Sequence, residues 1–246
     1  MGFLKDQEGI ITRYINEEGN WEAHLRHTKG FITDVVKKNK PESVSILGSG
    51  WLLDVPIEFL AANCKSICLY DIRHPAQIRH RLRRFKNVAF VECDLTGGFI
   101  SEIFNTVELF RKTQKKVPVE DLKLNNFIPD PETDYTISVN LLNQLDILII
   151  DYLKKFSIYS DPEIEKIRAR IQNSHIGSMK PGSSLLITDY QEILFDTNNK
   201  QVDKHSLVYT KLPEGKSRKY WDWDFDTNMT YYDRKKTKFK VVGIEF

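Results

Sequence analysis

No run of about 18 apolar residues, the length that crosses a bilayer, occurs in this chain. The longest apolar stretch, Leu145 to Leu153, is broken by Asp146 and Asp151. No membrane span is therefore expected. The opening MGFLKDQEGIITRY lacks an apolar core and a cleavage pattern, so no signal peptide is read in it. Asp6 stands where a myristoylated Gly2 needs Ser or Thr. Cysteine is scarce: Cys64, Cys68 and Cys93. Cys64 and Cys68 do not have the two-residue gap of a zinc knuckle, and no metal site is expected. An odd number of thiols without a signal peptide predicts reduced cysteines and a cytoplasmic protein. Cys68 and Cys93 fall in expected strands, where they pack as small hydrophobes. An excess charge of one sign is also missing. Against 36 basic residues stand 34 acidic ones, and a net charge of +2 implies no nucleic-acid partner by itself.

What is present is a long alternation of helical and strand-like segments over 246 residues, enough for one large domain. Trp21, Leu25, Thr28, Phe31, Ile32, Val35 and Val36 recur at helical spacing until Pro41 blocks continuation. Strands are expected at Val44–Leu47, Ser66–Asp71, Val88–Cys93, Tyr135–Asn140 and Ser184–Asp189. Helices are expected between them, at Leu52–Asn63, Pro75–Phe85, Phe99–Lys112, Leu142–Phe156 and Pro162–Ser178. Residues 113–134, with Pro118, Pro129 and Pro131, read as an insertion. The last third carries strand-like runs at Ser206–Lys211, Tyr220–Phe225 and Phe239–Phe246 with no long helix between them. Such an order predicts an α/β fold, doubly wound. Its mostly parallel seven-stranded sheet would carry helices on both faces and an antiparallel C-terminal strand pair. Residues 1–40 form an N-terminal helical segment, a cap or lid, and residues 41–246 the main domain.

In an open parallel sheet, ligands sit beyond the C-terminal ends of the strands. Here the first strand ends in Gly48-Ser49-Gly50, the second in Asp71, the third in Asp94 and the fourth in Asn140. Glycines at the first turn let backbone pass close to a ligand. A carboxylate at the second end suits the two hydroxyls of a ribose. Asp71 lies 21 residues after Gly50, close to the ~20 of a ribose-binding acid. Asp94 suits an exocyclic amine such as adenine's.

With these residues in register, the chain resembles the class I, Rossmann-like, S-adenosylmethionine-dependent methyltransferases. The resemblance runs from about Ser43 to Asp189. It implies that ILGSGWLL (Gly48, Ser49, Gly50) wraps the methionine moiety of S-adenosylmethionine. LYDI would supply Asp71 for the ribose, with Ile72 beside the adenine. VECDLT would supply Asp94 and Leu95 at the adenine edge. ISVNLLNQL would place Asn140 and Leu141 near the methyl-bearing sulfonium, and MKPGSSLLITD would be the turn into the fifth strand. Two features depart from the family pattern. Leu52 stands where a third glycine is usual, and Ile46 where an acid often precedes the first glycine. Leu52 is expected to begin the helix and to narrow the methionine end of the pocket.

The activity this implies is methyl transfer to an O or N nucleophile of a small-molecule acceptor. A relative of the same fold that binds S-adenosylmethionine without catalysis is a second reading. An NAD(P)-dependent Rossmann oxidoreductase is a third. Its loop would want glycine at Leu53, and although CDLT is similar to a short-chain dehydrogenase motif, Tyr152 does not open a Tyr-x-x-x-Lys pair, since it has no Lys at position 156. The Asn-Pro-Pro-Tyr motif of amino-group methylation is also absent. No catalytic base is assigned. His24, His27 and His175 are candidates, each with a packed or surface histidine as the plainer alternative. The aromatics of KYWDWDFDTNMTYY alternate with acids, as in a strand with one buried face, from which one or two rings can reach a pocket. Arg73, Arg79, Arg81, Arg83, Arg84 and Lys86 form a basic helix face, read as solvated, with RNA as the less favoured partner. No oligomeric state is assigned.

Overall fold

The computed structural model describes residues 2–246, apart from the side chains of Phe3, Leu4 and Asp6; Met1 lies outside the described residues. Helices α1 (Phe3–Asn16) and α2 (Glu22–Asn39) precede the sheet. Strands β1 (Ser43–Leu47), β2 (Ser66–Asp71), β3 (Val88–Glu92) and β4 (Tyr135–Val139) then alternate with helices α3 (Ile57–Asn63), α4 (Ala76–Leu82) and α5 (Phe99–Thr113). After α6 (Gln144–Lys154) and α7 (Asp161–Gly177) come β5 (Ser184–Phe195), β6 (Gln201–Ser206), β7 (Ser217–Asp226) and β8 (Lys236–Glu245). The strand order is β3-β2-β1-β4-β5-β8-β7, so the sheet is α/β, parallel through β5 and closed by antiparallel β8 and β7. The order reverses between β1 and β4, which opens a crevice at their C-terminal ends.

Alternation along the strands assigns the two faces. Val44, Ile46, Ile67 and Leu69 pack under α2, α3 and α4, in a core that also takes Trp221, Trp223 and Phe225 of β7. Leu47 and Tyr70 point the other way, into a core shared with α5, α6 and α7. A side-chain period of two puts successive residues of one strand on opposite faces. Helix α2 ends at Lys40, which adopts a left-handed φ of 48° directly before Pro41. Helix α7 starts at a reciprocal cap between Ser160 and Glu163, with Pro162 in the first turn.

Three expectations change. The path holds the seven expected strands, and an eighth, β6, pairs only with β5. That hairpin forms because Asp196 accepts the backbone N–H of Asn198 and Lys200, while Asn199 takes φ 60°. The apolar run expected as a strand at Ser206–Lys211 is mostly irregular. The carbonyl of Leu207 accepts from Gln172 Nε2, the Tyr209 N–H donates to Gln172 Oε1, and the segment packs on α7 without forming a ladder. Helix α3 begins at Ile57, not Leu52, because Leu52 closes a turn onto the Ser49 carbonyl (2.8 Å) with φ 52°. The 113–134 insertion carries a short 3-10 turn, Val119–Asp121. Its carbonyls at Val119 and Leu122 accept from the Arg170 guanidinium.

Candidate active site

All nine candidate residues at the strand ends line one cleft: Gly48, Ser49, Gly50, Asp71, Ile72, Asp94, Leu95, Asn140 and Leu141. The glycine turn is stitched to β2, with the N–H groups of Gly48 and Ser49 both donating to the Tyr70 carbonyl at 3.0 and 3.2 Å. Gly48 has φ 79°, and a Cβ there would come within 2.9 Å of Leu141 Cβ and 3.2 Å of the Val139 carbonyl. Only glycine lets the end of β1 lie this close to the end of β4.

Asp71 ties the second strand end to the first. Its Oδ2 accepts the Gly50 N–H at 2.8 Å. Its Oδ1 has long contacts to Gln7 Nε2 and the Arg73 N–H, both 3.5 Å. Acceptor capacity therefore remains for a ligand hydroxyl. Burial pushes the Asp71 carboxyl above its ordinary value. Asp94 Oδ1 accepts the N–H and hydroxyl of Thr96 at 2.8 and 2.6 Å, and Oδ2 has no hydrogen bond among the described residues. The Ser49 hydroxyl lies 3.0 Å from His74 Nε2, and the backbone N–H of His74 donates to Glu92.

The opposite wall comes from residues 1–40 and β7. Gln7 and Ile10 of α1, Trp21 beside α2, and His24 and Leu25 of α2 line the cleft with Trp223. Trp51 Nε1 donates to the Gln7 carbonyl at 2.8 Å, which fastens α1 to the glycine turn. Of the three candidate histidines, only His24 reaches the cleft. His27 is exposed and stacks on Trp221, and His175 is buried against the Ser138 hydroxyl at 2.8 Å. His24 stacks flat on Trp223, with centroids 3.9 Å apart and a 9° tilt. Burial, together with the nearby His27, pulls His24 down to about 3, so it is neutral at pH 7. The aromatic tail forms the half-buried strand read from its alternation. Trp221, Trp223 and Phe225 are buried and Tyr220 is exposed, and Trp223 is the ring that enters the cleft.

Leu52 is buried at the cleft wall in the left-handed backbone region that a third glycine would occupy freely. Sequence reasoning missed Asp54, which lines the cleft and whose Oδ2 accepts from Asn140 Nδ2 at 2.7 Å. An acid four residues beyond the glycine turn was the available signal. On α4 the basic side chains face outward around buried Ile78 and Leu82, with Arg79 paired to Glu92, and just beyond the helix Arg84 pairs with Glu58. Among the described residues no helix is long and apolar enough to cross a membrane.

No protein-family model matches the chain, and no curated protein matches it. Among solved structures it is similar to the DhpI–SAH complex, with 11% identity, 98% of this chain and 94% of that one covered, and a TM-score of 0.42. It is also similar to the Burkholderia thailandensis 1,6-didemethyltoxoflavin-N1-methyltransferase, at 12% identity, 98% and 87% coverage and TM-score 0.42. For the methyltransferase domain of bacterial CtHen1 the figures are 12% identity, 88% and 97% coverage and TM-score 0.39.

Proposed function

We propose that this chain is an S-adenosylmethionine-dependent methyltransferase acting on an O or N nucleophile of a small molecule. One observation carries the reading: the ends of four parallel strands bring a glycine turn, Asp71, Asp94 and Asn140 around a single cleft. The residues fit the cofactor. Asp71 offers a lightly engaged Oδ1 to ribose hydroxyls, and Asp94 offers Oδ2 to an adenine amine. Gly48 and Gly50 keep side chains out of the path of the methionine moiety. Ile72, Leu95 and Leu141 supply apolar walls.

The bound cofactor supplies a methyl group activated on a sulfonium. The protein's part is alignment and water exclusion, and holding two reactants in line replaces an improbable encounter with a single bound geometry. Residues 1–40 act as the cap, since α1 and α2 close the cleft with Gln7, Ile10, Trp21, His24 and Leu25. His24 is not the base, because both its ring nitrogens are already engaged, by Trp221 and Asn140.

Calorimetric titration with S-adenosylmethionine, S-adenosylhomocysteine and NAD tests the reading. Binding of both sulfur compounds and not of NAD is expected. Binding of NAD alone would establish the oxidoreductase reading. Binding of the sulfur compounds with no turnover on a broad acceptor panel would establish the non-catalytic one.

A further inference from the structure

Four side chains from four separate elements meet at the end of β4. Trp221 Nε1 lies 3.1 Å from His24 Nδ1. His24 Nε2 lies 3.2 Å from the Asn140 amide, and that amide lies 2.7 Å from Asp54 Oδ2. The hydrogens along this chain are determined by its first member. An indole N–H only donates, so Nδ1 of His24 accepts and carries no proton. The proton of the neutral ring then sits on Nε2 and donates to Asn140, which must turn its amide oxygen toward the ring. With the amide nitrogen in that position two donors oppose each other and Oδ1 is buried without a partner. The amide's oxygen and nitrogen exchange by a half-turn. Once the oxygen faces His24 it also faces Asp54, and two oxygens 2.7 Å apart need a hydrogen between them. That hydrogen belongs to a protonated Asp54. Nδ2 of Asn140 then takes the buried position that Oδ1 holds in the unturned amide.

The surroundings of Asp54 favour the same state. Desolvation raises its pKa, against Asn140, its own backbone and the field of Lys29 on α2, which lower it. His24, the titratable group of α2 within this hydrogen-bonded network, is neutral, held so by burial and by His27 on the same helix. The cleft itself selects a cation: Asp54, Asp71 and Asp94 line it, and no lysine or arginine does among the described residues.

We propose that Asp54 is a proton-linked anchor for a positively charged centre of the ligand. It is a neutral acid before the ligand enters and ionises as the cation arrives. The O–H bond of Asp54 breaks, the proton passes to solvent, and the carboxylate keeps the electron pair and swings away from the Asn140 oxygen to face the cation. This rests on the S-adenosylmethionine reading, whose ligand carries two cationic centres. The sulfonium is absent from S-adenosylhomocysteine, and the ammonium is common to both.

Titration calorimetry of the full chain in two buffers of different ionisation enthalpy, across pH 5–8, tests it. Proton release approaching one per ligand is expected at the acid end, with affinity weakening by about tenfold for each pH unit lowered. Release with S-adenosylmethionine alone assigns the sulfonium as the partner; release with both ligands assigns the ammonium. Binding heat with no buffer dependence would overturn the proposal and leave the cofactor reading intact. No binding heat with either ligand would overturn both. Asp54→Asn keeps a donor toward Asn140 and should bind without proton release. Release that persists in this variant would overturn the assignment to Asp54. The wild-type buffer comparison stands even if the variant does not fold.

Discussion

The backbone N–H of Gly50 lies 2.8 Å from Oδ2 of Asp71, so the acid that closes the second strand also fixes the turn that closes the first. One side chain thus shapes the cleft and lines it. Replacing it removes both effects. Asp71→Ala should weaken S-adenosylmethionine binding by about 1.5–3 kcal/mol, the value of hydrogen bonds to a charged acceptor, or roughly ten- to 150-fold in affinity. Calorimetry checks this. Affinity equal to the parent's would remove Asp71 from the ribose role.

Leu52 holds a backbone conformation that costs an L-residue about 1–2 kcal/mol and glycine almost nothing. Its side chain is nevertheless buried. Both Leu52→Ala and Leu52→Gly should therefore lose stability, by about 2 kcal/mol or more from lost burial. Their order is the informative part. In ordinary backbone glycine is worse than alanine by about 0.5–1 kcal/mol. Here Leu52→Gly should match or exceed Leu52→Ala in urea midpoint, because only glycine relieves the φ of 52°. A clearly less stable glycine variant would mean the turn relaxes when the side chain is shortened.

The strand ends were legible because two signals coincide there: an apolar, β-branched run and the small or polar residue that follows it. Gly48, Asp71, Asp94 and Asn140 each sit at such a junction, and parallel pairing then places all of them on one side of the sheet. The partners that complete the site follow no such local rule. Asp54 meets Asn140 across 86 residues, and His24 meets it across 116. Spacing along the chain says nothing about contacts of that range. The early start expected for α3 failed for a related reason: the apolar pattern of Leu52 and Leu53 reflects burial in a turn, and burial alone does not distinguish a turn from a helix. The helical spacing from Trp21 to Lys40 was legible and corresponds to α2, yet the attachment of the segment before it depends on Glu17, which no periodicity singles out.

Glu17 is buried between α1 and α2, and its carboxylate accepts from the Thr227 N–H at 3.0 and 3.1 Å and from the Thr227 hydroxyl at 2.8 Å. It also takes the amide nitrogens of Asn20 and Asn228 at 3.2 Å. This pins the junction of α1 and α2 to the turn between β7 and β8. Glu17→Ala strands several donors at once, which should cost about 2–3 kcal/mol. Chemical denaturation measures the loss. A change under about 0.5 kcal/mol, the range of ordinary surface substitutions, would show that water replaces the carboxylate.

Asp189, in β5, is buried, with Oδ2 accepting from Asn143 Nδ2 at 2.7 Å and Oδ1 without a partner. Burial raises its pKa from 3.8 to about 6. Between these values the folded chain holds a proton that the unfolded chain has released. The stability this proton contributes is present below pH 3.8 and is lost as pH rises through about 6. At neutral pH the protein therefore carries an ionised carboxylate in a place that favours a neutral group. Asp189→Asn keeps the shape and removes the charge. It should be more stable than the parent by about 1–3 kcal/mol at pH 7–8, and the advantage should vanish near pH 4. Paired urea titrations at the two pH values test this, and the other titrating groups, common to both chains, cancel in the difference. A difference that stays constant with pH would mean Asp189 is ionised throughout, with its charge met by a partner other than Asn143.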